Sequence, residues 1–236
     1  MRAFAQDTAD NFWIGTSGGL VKYDGDTTWE IHSMGNSPLL SNNIVSIYID
    51  EANIAYVGTI NGGLNVINDK IWDVYTLDNS DINDNTILDI QADVEGNKWL
   101  ATPFGALGIL TFDNNFLTFN TLTSGIFSNN LSGIVIDTNG LAWLASVDSG
   151  LITFDDTNWG NFSETNSGLP DNFIQAIALD DENAIWLGTQ NGGVAKFEST
   201  IVGVPNTNLP QFDIYIFPQP ATDVLNIKIN DHAFSD

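Results

Sequence analysis

The chain has 236 residues, 43% of them hydrophobic, which is enough to bury a large core and excludes a disordered chain. Thirty acidic residues against six basic ones give a net charge of −24, so phosphate backbones and anionic membranes are poor partners. There is no cysteine, so disulfides and thiolate chemistry are excluded, and no apolar run approaches a membrane span.

The N-terminus, Met1 to Asp7, lacks the apolar centre of a signal peptide and begins directly in a strand. That start reads as a chain cut from something longer. Soon afterwards comes Phe12-Trp13-Ile14-Gly15-Thr16, and this stretch returns four times. Its aromatic residues are Trp13, Tyr56, Trp99, Trp143 and Trp186, at spacings of 43, 43, 44 and 43. A repeat of that length points to a propeller or a solenoid.

Each copy also carries an aspartate six residues before its aromatic: Asp7, Asp50, Asp93, Asp137 and Asp180. Glycines follow the aromatic, and a second large apolar residue (Trp29, Trp72, Phe116 or Trp159, with Val202 in the last copy) comes later. These two aromatic positions take up all seven tryptophans.

The second copy shows the strand pattern. Residues 44–49 are β-branched and apolar, and predict a first strand. Asp50 to Asn53 predicts a turn, 55–58 a second strand, and Asn61-Gly62-Gly63 a glycine turn. Residues 64–67 and 71–75 predict two more strands. Four antiparallel strands per period is a propeller blade, so the expected fold is all-β: a β-propeller of five four-stranded blades, or five blades of a larger one. The blades are expected at about 1–43, 44–86, 87–130, 131–173 and 174–203. The small residues at Gly15, Gly58, Ala101, Ala145 and Gly188 suit close packing of neighbouring blades.

The fifth copy keeps register to Phe197, but its fourth strand, near Thr200 to Val202, is weak. A linker at 204–212 follows. Residues 213–236 then read as strand, proline-rich turn and strand, belonging to a separate piece.

The repeats, with Ile136-Asp137-Thr138-Asn139-Gly140 before Trp143 and Trp186-Leu187-Gly188-Thr189 before Gly192-Gly193, resemble the two-component regulator propeller repeat over residues 1 to about 203. The resemblance implies a propeller found in periplasmic sensor regions and in secreted proteins. The run Phe217-Pro218-Gln219-Pro220-Ala221-Thr222-Asp223 resembles the start of the type IX secretion C-terminal sorting domain, departing from it at Phe217 and Gln219. It implies an exported parent protein, secreted or on the outer cell surface.

No catalytic residue is expected. Gly15-Thr16-Ser17-Gly18-Gly19 fits a nucleophile elbow, but other copies replace the serine, and only His32 and His232 could act as base. Acidic turns such as Asp93 to Asn97 lack the alternating ligands of a calcium loop. Neither metal nor cofactor is expected. Asn42, Asn85, Asn129 and Asn172 recur before the first strands and read as turn-forming side chains.

Positions kept in all copies serve packing, whereas positions that break the pattern are free for recognition. On the face carrying the loop after the second strand, the pattern breaks at Phe104, Phe127 and Phe173. With Asp148 and Asn191 nearby, these residues form the candidate ligand site, suited to a carbohydrate or protein ligand. The expected function is a secreted or cell-surface, non-enzymatic binding module. It should be monomeric, with no nucleic acid partner and no membrane insertion. A sensor region of a signalling protein and an extracellular carbohydrate-active lyase or hydrolase are the alternatives.

Overall fold

The computed structural model describes residues 1–199, 212–217 and 227–228. They form an all-β protein of antiparallel sheets, with no helix among them. The first sheet is β1 (Ala3–Gln6), β2 (Phe12–Thr16), β3 (Gly19–Tyr23) and β4 (Trp29–His32), in that order. The second is β5 (Ile44–Ile49), β6 (Ala55–Thr59), β7 (Leu64–Asn68) and β8 (Ile71–Tyr75). The third is β9 (Asp89–Ala92), β10 (Lys98–Ala101), β11 (Leu107–Leu110) and β12 (Phe116–Phe119). The fourth runs β13 (Leu131–Ile136), β14 (Ala142–Ser146), β15 (Leu151–Phe154) and β16 (Trp159–Phe162). Each sheet is one repeat, which makes it a propeller blade.

The chain divides into two compact units, 1–134 and 135–236. In the first unit, Trp13 and Leu20 of the first sheet pack on Ile44, Ala55, Val57 and Ile67 of the second. Leu64 of the second sheet then packs with Ile87, Ile90, Leu100 and Leu110 of the third. The small residues of the second strands allow this approach. A Cβ at Gly15 would stand 2.8 Å from Ile44 Cγ2, and one at Gly58 would stand 2.6 Å from the Ile87 carbonyl. In the second unit, Trp143, Ala145 and Leu151 pack on Ile185, Leu187, Ala195 and Phe197. The other face of the first sheet carries a stacked ladder from Phe4 through Phe12 and Tyr23 to Trp29, and Trp29 is 57% exposed.

The fifth sheet draws strands from two parts of the chain. It contains β17 (Ile174–Leu179), β18 (Ile185–Thr189) and β19 (Val194–Ser199), followed by β20 (Phe212–Phe217) and β21 (Ile227–Lys228). β20 pairs antiparallel with β19 from Val194↔Phe217 to Ser199↔Phe212. Residues 212–217 therefore supply a strand to this sheet. The expected strand near Thr200 to Val202 lies outside the described residues. The physical reason is that β19 leaves a row of backbone donors and acceptors that any extended segment can satisfy. Phe212-Asp213-Ile214-Tyr215-Ile216-Phe217 has far more β-forming residues than the stretch near 200. The sorting-domain resemblance lies outside the described residues from Pro218 onward.

Candidate functional site

Three polar devices recur in the sheets and fix their two ends. The first is the aspartate of the turn between the first and second strands. Asp137 Oδ1 accepts from the backbone N–H of Asn139 and Leu141, and its Oδ2 accepts from Trp143 Nε1 at 3.1 Å. Asp7, Asp93 and Asp180 hold Trp13, Trp99 and Trp186 in the same way, at 3.1, 2.9 and 2.7 Å. The third turn residue takes positive φ, which Asp10, Asn53, Gly96, Gly140 and Asn183 accommodate. The six-residue spacing thus lets one carboxylate close a turn and orient a buried indole.

Two of these carboxylates are held below the usual range. At Asp180 the Trp186 bond and the turn N–H groups are responsible. At Asp7 burial opposes, but bonds from Asn11 and Trp13 prevail.

The second device is a hydroxyl at the end of the second strand. Thr59 Oγ1 donates to the Gly63 carbonyl and accepts from the Gly62 N–H. Thr16, Thr102 and Ser146 do the same in their own sheets. Ser17 is therefore an exposed turn residue beside a structural threonine. His32 packs edge-on against Trp72, with ring centroids 5.3 Å apart.

The third device is the asparagine before each first strand. Asn42, Asn85, Asn129 and Asn172 accept from the backbone N–H of Met34, Leu77, Thr121 and Glu164. These asparagines hold loops, in agreement with the turn-forming reading.

On this frame the five candidate ligand residues separate. In the first unit, Phe104 is 79% exposed, at the tip of the loop between β10 and β11. Hydrogen bonds tie its loop down. Asp84 accepts from the Thr86 N–H with one oxygen and from the Phe104 N–H with the other. Phe104 borders a cleft of about 770 Å³ that also includes Asp81, Asn83, Phe116, Leu122 and Asn129. Leu122 is 92% exposed. Asn83 donates to the Gly105 carbonyl, and its Oδ1 is buried with no hydrogen-bond partner. Phe127 is half exposed and does not line this cleft.

In the second unit, Asp148 and Asn191 are exposed and Phe173 is half-buried. Asp171 grips this loop as Asp84 grips that of Phe104, accepting from the Phe173 and Asn191 N–H groups. Those bonds hold the Asp171 carboxyl below the usual range. Reasoning from the sequence missed Asp81, Asn83 and Leu122. The available signal was at Asn83, which stands where other copies have Leu40, Phe127 and Pro170.

Among the described residues, no group of three or more His, Asp or Glu is placed to hold a metal ion. No helix there is long and apolar enough to cross a membrane.

Residues 168–191 match the model of the two component regulator propeller family. No curated protein matches the chain. Among solved structures, the extracellular domain of a hybrid two component system from B. thetaiotaomicron is similar, with TM-score 0.56 and 23% identity. That match covers 91% of this chain and 34% of the other. The extracellular domain of a one component system from the same organism aligns with TM-score 0.70 and 15% identity, over 97% and 36% of the two chains. Virginiamycin B lyase from Staphylococcus aureus aligns with TM-score 0.65 and 13% identity, over 98% and 85%. The chain thus spans about a third of the length of the first two structures. At these identities the likeness concerns the β-propeller fold.

Proposed function

We propose that this chain is an extracytoplasmic β-propeller binding module, without enzymatic activity, that recognises its ligand at the cleft beside Phe104. One observation carries this reading. A large aromatic side chain is held 79% exposed on a backbone fixed by Asp84, where the equivalent loop residues are Asn61, Asp148 and Asn191. Exposing a phenylalanine forgoes roughly 1.5–3 kcal/mol of burial, and a rigid, entropically inexpensive ring beside polar groups suits stacking on a sugar or a peptide side chain. Phe127, Phe173, Asp148 and Asn191 extend the proposed recognition surface within their own units.

An extracytoplasmic sensor role is the second reading. It is favoured by the match of residues 168–191 to the two component regulator propeller and by the extracellular domains of two component and one component systems that share the fold. The run from Phe217 to Asp223 supports export of the parent protein.

The test is a glycan and peptide array probed with wild type and Phe104→Ser. Ligands should bind wild type and be lost or strongly weakened on the variant, with its circular dichroism unchanged. Equal binding by the two would sink the site. Mass spectrometry of the recovered ligand addresses the other half of the proposal, because a chemically altered ligand would show the chain to be an enzyme.

A further inference from the structure

At the opposite end of the second and third sheets lies another cleft, of about 690 Å³, built by the turn after β5, the turn after β9 and the turn after β11. Here the repeat is broken at three places that meet in space. Tyr56 replaces the repeat tryptophan. Tyr48 stands where other copies have Ala5, Gln91, Val135 and Ala178. Lys98 stands where they have Phe12, Ala55, Ala142 and Ile185. Lys98 comes from the third sheet, yet its ammonium lies 4.6 Å from the Tyr56 ring centroid and 5.9 Å from that of Tyr48.

The bonding of this group is incomplete. Lys98 is only 6% exposed, and its ammonium donates to the Gly96 carbonyl. An ammonium has three donors, and a buried charge needs a partner. Lys22 and Lys196 also lie over repeat tryptophans, but each has the repeat aspartate at 3.7–3.8 Å. Lys98 is more buried than either and has no such ion pair among the described residues. Asp50 and Asp93 act on it only at longer range, and burial lowers its pKa.

The missing indole also alters Asp50. Asp93 Oδ2 accepts from Asn97 and Trp99, whereas Asp50 Oδ2 receives only the Tyr56 hydroxyl, at 3.4 Å. Glu51 beside it is exposed, and Phe112 gives the cleft an apolar rim, 77% exposed.

We propose that this cleft binds a zwitterionic small molecule of the α-amino-acid type. Its carboxylate would meet the buried Lys98 ammonium, its ammonium would meet Asp50 and Glu51, and its apolar side chain would lie against Phe112. Charge selects this class. A simple anion would approach Glu51 within a chain of net charge −24, and a simple amine would face Lys98. A zwitterion carries no net charge and satisfies both sets of groups. Were Lys98 only filler for the smaller ring, an apolar side chain would fill the space without burying an unpaired charge. The site is separate from the cleft at Phe104 and does not depend on it.

Calorimetry and thermal shift would be run on the chain with leucine and phenylalanine, with their methyl esters (cations), with their N-acetyl forms (anions) and with glucose. The free amino acids should bind, and each blocked form should bind at least about tenfold more weakly, as expected when one charged contact goes unmade. Lys98→Met should weaken binding by a similar factor. Tyr56→Trp restores the repeat residue, should fold at least as stably, and should abolish binding by closing the cleft. Absence of binding at millimolar amino acid would overturn the proposal. So would unchanged binding in Tyr56→Trp, or glucose as the preferred ligand.

Discussion

At the scale of single residues, the carboxylate six positions before each aromatic has the largest structural role. Asp137 satisfies two turn donors and the Nε1 of Trp143, which is 2% exposed. Asp137→Ala leaves those donors unpaired, so equilibrium denaturation should show a loss of about 2 kcal/mol. Tyr56 offers a second measurement. Burial, with Asp50 beside it, raises its pKa to about 12. A raised pKa means that the folded state keeps a proton which the unfolded chain releases near its ordinary value of about 10. The stabilisation is therefore complete below about pH 10 and lost as pH rises towards about 12. Phenolate absorbance during alkaline titration should show a late-titrating tyrosine that disappears in Tyr56→Phe.

At the scale of elements, sheets pack through the small residue of the second strand. A Cβ at Gly58 would stand 2.6 Å from the Ile87 carbonyl, whereas one at Gly188 would find only the Ala176 Cβ, at 3.6 Å. Gly58→Ala should thus cost about 1–3 kcal/mol through forced displacement, while Gly188→Ala should be neutral or stabilising. Melting temperatures of the two variants check this, and equal shifts would refute the packing argument. β20 invites a related test. Truncation after Ser199 exposes the β19 edge, so the melting temperature should fall by about 5 °C or more. An unchanged value would show that the pairing of β20 with β19 adds no stability.

At the scale of the whole molecule, acid sensitivity follows from the turn carboxylates. Asp7, Asp171 and Asp180 are held below the usual carboxylate range in the folded chain. Their contribution is present above the unfolded value of about 3.9 and is lost as pH falls through the lower folded values. Stability measured by denaturation should therefore drop below about pH 4, despite relief of the repulsion within a chain of net charge −24. A chain stabilised on acidification through that range would show that general repulsion outweighs these specific bonds.

The sequence by itself determined the repeat, the strands and the roles of its kept residues. The turn aspartates, strand-end hydroxyls and loop asparagines act on neighbours within about ten positions. Asp137 reaches Trp143 because a tight turn brings residues six apart together, and Asn85 reaches Leu77 across one loop. Such contacts are written in local spacing. Tertiary structure alone decided three other matters. Phe104 shares a cleft with Asn83 and Leu122 because the loop before β9, the loop after β10 and the loop after β12 converge there, and Phe127, equally irregular in the pattern, stays outside that cleft. Lys98 lies over Tyr48 and Tyr56 although 50 and 42 residues separate it from them. β20 fills the open edge of β19 across an intervening segment that no spacing rule assigns. Pairings between distant segments follow from which open edge or gap remains after local structure has formed, and the order of residues along the chain does not record that.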